Sequence, residues 1–209
     1  MRTTTKSESR SRLATEGGVA LIALLAIQIF IGYEWLMSGL AKVVRGGFPS
    51  GLAEELTEKS EGIGGWYKDF LDGTVIPNGE LFGVLIIVGE LLVGIGLIAA
   101  AVVWLARRET LENGAKMAVL GVTFLAAVGA ILMNVAFHLA NGSAHPWLIP
   151  EEGFDEGVDL DSLLPLIQLA LAVFSAKLFL GIRRERSPRP APTLGPAGSG
   201  PPTPERGRG

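Results

Sequence analysis

The chain predicts an all-α integral membrane protein, a four-helix bundle with a short helix at the outer surface between the first two spans. Three observations carry this. The 209 residues are rich in apolar side chains, 48% hydrophobic with a positive mean hydropathy. The apolar residues fall into four blocks, each long enough to cross a hydrocarbon core of about 30 Å at about 1.5 Å rise per residue. The lysines and arginines gather on one side of those blocks.

The predicted spans are 18–41, 81–106, 117–140 and 163–182. The first is too long for the apolar region of a cleaved signal, contains Glu34 and lacks a small-residue exit, so it is expected to remain as an anchor. Within the long connection 46–80, Ile63, Trp66, Tyr67, Phe70 and Leu71 follow the spacing of one helix face. Two readings fit: a helix lying in the outer interface with Trp66 and Tyr67 at headgroup level, or a helix that caps the bundle. Residues 1–17 form a basic N-terminal segment. Residues 183–209 end in "PRPAPTLGPAGSGPPTPERGRG", a composition that cannot build a core and predicts disorder.

Thirteen of the eighteen basic residues lie before span one, between spans two and three, or after span four, and a fourteenth, Lys177, sits near the same end of span four. The other side carries Lys42, Arg45, Lys59 and Lys68 against an acidic excess, including six carboxylates and no base in "IPEEGFDEGVDLDS". Both termini are therefore expected in the cytoplasm, with the chain multi-pass in the plasma membrane. The basic residues are spread over three segments without aromatic interleaving, which argues against nucleic acid as a partner. With no cysteine, this chain forms no disulfide, thiolate metal site or iron–sulfur cluster, and any redox role must borrow its electron carrier. Two histidines, His138 and His145, are too few and too loosely spaced for a haem or metal claim, and Pro146 disfavours helix at His145.

The polar residues inside the spans are one-sided. Glu34 in the first span and Glu90 in the second sit at similar depth in the outer half, and Lys42 lies two turns beyond Glu34. Asn134, His138 and Asn141 form one stripe on the third. The inner halves are almost purely apolar apart from Gln28 and Thr123. An ionisable group in lipid costs roughly 2.5 kcal/mol or more unless paired, protonated or hydrated, so both glutamates are expected to face inward. Pairing with Lys42 or His138, or retention of a proton, would accommodate two carboxylates in one bundle. Two readings stay open: a functional site that exchanges protons with a bound quinol, and a hydrogen-bonded knot that only fixes helix packing. Glycines in both helices permit the close approach either reading requires.

Three stretches resemble one family. "YEWLMSGLAK" (33–42), "GELLVGIGL" (89–97) and "LMNVAFHLANGSAHP" (132–146) are similar to the DoxX/DoxD family of small four-helix membrane proteins. The resemblance covers residues 18–182, with His145-Pro146 standing where many such sequences read Asn-Pro. It implies a four-helix fold and a redox setting: a membrane subunit of a quinone-linked oxidoreductase such as a thiosulfate:quinone enzyme. On that reading Glu34 and Glu90 are the proton acceptors, Asn134 and His138 bind quinone oxygens, and Lys42 stabilises anionic charge. Quinone is then the cofactor, no metal is needed, and a protein partner or a second copy is expected beside membrane lipid. The alternative is a noncatalytic scaffold that recruits a soluble redox or stress-defence enzyme. A small-solute transporter is disfavoured by the apolar inner half and the lack of an inverted repeat.

Overall fold

The computed structural model describes residues 4–107, 109–141 and 160–186; His145, most of the acidic outer stretch and the chain from 187 onward lie outside them. All described secondary structure is helical. Helix α1 (Thr4–Arg45) starts well before the predicted span, because nothing in the polar N-terminal residues breaks a helix except the Gly17–Gly18 pair. It stops at Gly46 and Gly47, whose φ angles of 68° and 76° are the left-handed conformation that glycine adopts without strain.

Beyond that turn lies α2 (Phe48–Ser60), which the sequence reading leaves as loop. Pro49 in its first turn is preorganised for helix, and Leu52 and Leu56, four apart, are buried together. Next comes α3 (Gly65–Phe70), continued by a π turn (Leu71–Val75) and a 3-10 turn (Ile76–Asn78) into α4 (Gly79–Arg107). Pro77 has no N–H to offer the carbonyl four residues back, which accounts for the change of pitch there. Helices α5 (Asn113–Ala140) and α6 (Leu160–Arg186) complete the bundle, and α6 carries the chain helically past the predicted start of the tail at 183. Among the described residues four helices are long and apolar enough to cross a membrane.

The strongest packing pairs are α1 on α4 and α5 on α6, with α4 joining α5, while α1 and α6 scarcely meet. The α1–α4 seam is antiparallel and depends on two glycines. A methyl group on Gly94 would stand 2.5 Å from the backbone nitrogen of Leu36 and 2.8 Å from the carbonyl oxygen of Gly32; one on Gly32 would stand 2.8 Å from Ile98. Around this seam Ile31, Trp35, Val93, Leu97, Ala127, Ala130 and Leu171 form the central core. In the inner half the two polar exceptions find each other: Gln28 Nε2 donates to the Leu97 carbonyl at 2.9 Å and to Thr123 Oγ1 at 3.3 Å. The void beside them measures only about 20 Å³. Phe30, Leu92, Leu125 and Leu132 point outward, as lipid-facing positions should.

A second apolar cluster roofs the outer end, where Leu52, Leu56, Tyr67, Leu71 and Val75 pack against Phe82 and Ile86. Here too glycines admit a neighbour: Pro49 rests on Gly83 and Ala53 on Gly79. The two readings of the 63–71 segment are thereby divided between residues. Trp66 and Phe70 are exposed, whereas Tyr67 is buried within the roof cluster, where its hydroxyl donates to the Ala136 carbonyl at 2.8 Å. A buried phenol needs a partner, and the Ala136 carbonyl supplies one.

Replacing Gly94 by alanine is expected to cost about 1–3 kcal/mol by overpacking the seam, whereas Gly121, with open space around its Cα, should accept alanine without loss. Denaturant titration of both variants in mild detergent checks this; equal stability of the two would remove the glycine seam as the basis of α1–α4 packing.

Candidate functional site

The last turn of α1 places Lys42 beside Glu90 of α4. The ammonium gives hydrogen bonds to both carboxylate oxygens, at 2.6 and 2.8 Å, and to Ser38 Oγ at 2.9 Å. Ser38 in turn donates to Glu90 Oε1 at 3.2 Å, and the Phe48 ring lies 5.2 Å from the ammonium. The Glu90 side chain is 1% exposed and that of Lys42 23%. Such a carboxylate is tolerable only with a charged partner and several short bonds, both of which it has here. A cation in the last turn of α1 also complements the partial negative charge of that helix end.

This pair forms one wall of a cavity of about 540 Å³ in the outer half of the bundle. Helix α1 contributes Glu34, Trp35 and Ser38, α2 the roof of Phe48, Leu52 and Leu56, α4 Phe82, Ile86 and Glu90, and α5 Met133, Asn134 and Phe137. Trp35 and Phe137 stack at 6.4 Å between centroids. A mostly apolar, aromatic enclosure of this size with a few placed polar groups is what small-molecule sites look like.

The five residues singled out from the sequence meet different fates. Glu90, Lys42 and Asn134 stand on the wall. Glu34 also lines the cavity, but at an exposed lip and not facing inward as expected. The cause is helical phase. Ile31, Trp35, Gly39 and Lys42 occupy the inward face of α1, and Glu34, one residue before Trp35, is turned about 100° from it. Nor is Glu34 level with Glu90: a methyl on Gly39 would stand 3.1 Å from Glu90 Cβ, so Glu90 lies about a turn farther out. His138 is buried but contributes nothing to the cavity wall. Asn141 is exposed at the end of α5, where its Oδ1 accepts from Lys59 at 3.1 Å.

Sequence reasoning missed the roof helix and Gln168. That side chain on α6 is wholly buried, and its Oε1 accepts from Asn134 Nδ2 at 3.1 Å. The signal was present, since Gln168 is a lone amide in the apolar run "LLPLIQLALAV". Among the described residues no three His, Asp or Glu side chains converge as a metal site would require. Compared with known proteins, the chain matches no family model, no curated protein and no solved structure.

Removing one member of the buried pair should hurt far more than removing both. Lys42→Met strands the Glu90 carboxylate and is expected to lower stability by about 3 kcal/mol, while the double change Lys42→Met with Glu90→Leu should recover most of it. Thermal unfolding of the three proteins in one detergent measures the difference; additive losses would show that the pair is not coupled.

Proposed function

We propose that the chain is a DoxX-like integral membrane subunit of a quinone-linked oxidoreductase, the thiosulfate:quinone type being the first to test, and that the outer cavity receives the quinone headgroup. The observation that carries this is the cavity itself: about 540 Å³, walled by aromatic rings and holding the Lys42–Glu90 pair and Asn134. Its size and lining suit a flat ring with polar oxygens at its ends. A quinone supplies a two-electron, two-proton acceptor. The electrons come from a partner subunit that oxidises a reduced inorganic sulfur donor, since this chain has no cysteine to carry them.

The chain's own residues bind and move protons. On this reading Glu34 at the lip is the proton-exchanging carboxylate, Glu90 holds a carboxylate against the ring site, and Lys42 offsets negative charge there. The same reading puts the bundle in the plasma membrane with both termini cytoplasmic, on the distribution of lysine and arginine. A reporter fused to the C-terminus should then be active only on the cytoplasmic side. Activity confined to the external side would invert the topology.

One observation favours the second reading, a packing knot in a noncatalytic scaffold for a soluble redox or stress-defence enzyme. Lys42 already directs three hydrogen bonds within the protein. The glutamine variant of Glu34 separates the two, because it keeps shape and hydrogen bonding but cannot exchange a proton. Quinone-dependent turnover of the reconstituted complex is expected to fall by about 10²-fold or more in E34Q at unchanged protein level. Full turnover would rule out the proton-transfer role and leave the scaffold reading.

A further inference from the structure

The outer cavity is fastened at its roof and open along one flank. Tyr67 ties α3 to α5 through its hydroxyl on the Ala136 carbonyl at 2.8 Å, and Lys59 ties the end of α2 to Asn141 at 3.1 Å. Lys68 reaches back to the Ser60 carbonyl at 3.1 Å, which joins the two roof helices to each other. A molecule arriving from the outer aqueous side would have to part these bonds.

The open flank is the side of α1 turned away from α4. Gly32 and Gly39 face α4, and Glu34 lies roughly 140–160° around the helix from them. On that side α1 and α6 scarcely meet, and Glu34 both lines the cavity and is exposed. The opening lies about 16 Å inward of Arg45 along α1, well inside a hydrocarbon core of about 30 Å. It therefore faces acyl chains. Farther inward, Phe30 and Ile27 continue the Glu34 face at four and seven residues, and both are exposed, Phe30 at 73%. Across from them Phe174 of α6 lines the small void beside Gln28, yet remains 37% exposed. An apolar furrow between α1 and α6 thus begins at the lip of the cavity.

We infer that the cavity is loaded sideways from the bilayer past Glu34 by an amphipathic ligand, whose polar ring lies against the Lys42–Glu90 wall and whose hydrocarbon tail lies in the furrow over Phe30 and Ile27. The inference rests on the proposed function and adds to it the route and the tail. The polarity runs in the required direction, since charge and amide groups lie within the cavity and carbon lies outside its mouth. A tail of about 10 Å spans the rise from Glu34 to Ile27. Lipid is as apolar as the furrow, so the tail gains only by packing, and its effect on affinity is severalfold.

A benzoquinone carrying a decyl tail with a diazirine at its end tests this on the full chain in lipid nanodiscs. After photolysis, the adducts that excess untagged decyl quinone suppresses are expected on residues 27–34 of α1 and 163–174 of α6. The double change Ile27→Ala with Phe30→Ala should weaken binding of the decyl quinone at least threefold and leave tail-less duroquinone within twofold, a split that general loosening of the bundle would not produce. Suppressible adducts confined to the roof, residues 48–78, would route the tail through the outer rim and overturn the inference while the proposed function stands. So would adducts on the furrow that excess quinone does not suppress, which would show bilayer lipid as its only occupant, and so would equal effects of the double change on the two quinones. Binding of neither quinone at equilibrium overturns the proposed function and the inference together.

Discussion

The contact of two helix backbones at Gly32 and Gly94 is the constraint on which the outer half of the molecule depends. It sets α1 against α4 so closely that no other side chain fits between Gly94 and Leu36. One turn outward from Gly94 the same register delivers Glu90 to the level of Gly39, between Ser38 and Lys42. The ion pair is thus a product of backbone proximity: at a wider spacing the lysine would reach the water before it reached the carboxylate. Lys42 sits in the last turn of α1, and the Gly46–Gly47 turn immediately after it swings α2 over the pair. The roof in turn rests on Gly79 and Gly83 of α4. Four glycines on two helices therefore underlie seam, pair and roof alike.

The two halves of the bundle obey opposite rules. Toward the N-terminus of α1 the interior is filled, and Gln28 gives its Nε2 to Thr123 and the Leu97 carbonyl, while the Trp104 indole nitrogen is buried without a hydrogen bond among the described residues. Toward the outer end the helices leave room: α1 and α5 touch through side chains such as the Trp35–Phe137 stack, and the space beyond is walled by rings and by α2. Water or a small molecule entering there meets a cul-de-sac whose floor includes the Trp35–Phe137 stack. Polar groups in the outer half are consequently placed where something other than protein can reach them.

Much of this was legible in the sequence, and the failures have physical causes. The spans were readable because length and apolarity are local properties; their ends moved by a few residues where helix continues into polar sequence, as at Gly79 and Arg186. Helix α2 escaped because it offers only Leu52 and Leu56 among glutamates, and its stability comes from a roof contact that no local pattern reports. Depth could be counted along each helix, which found the outer polar layer. Phase could not be set without the partner helix, so Glu34 was expected inside and stands at the lip, and the partner of Lys42 was open until α4 supplied Glu90. Tyr67 shares a helical face with Trp66 in the pattern, yet it is buried in the roof cluster with its hydroxyl on the Ala136 carbonyl of α5.

The closed inner half carries a consequence for energy conversion. On the proposed function, a site confined to the half of the bundle that holds Lys42 and Glu90 takes up and returns protons on that side, so a proton exchanged there does not traverse the membrane field. A charge crossing the whole bilayer would gain or lose about 2.3 kcal/mol per 100 mV; one that enters and leaves the cavity by the same mouth exchanges little of that. On that proposal, chemistry in the cavity is electroneutral with respect to the bilayer when its electrons arrive from the same side. The packing of Gln28 and Thr123 around a void of about 20 Å³ would then be what keeps the reaction from charging or discharging the membrane.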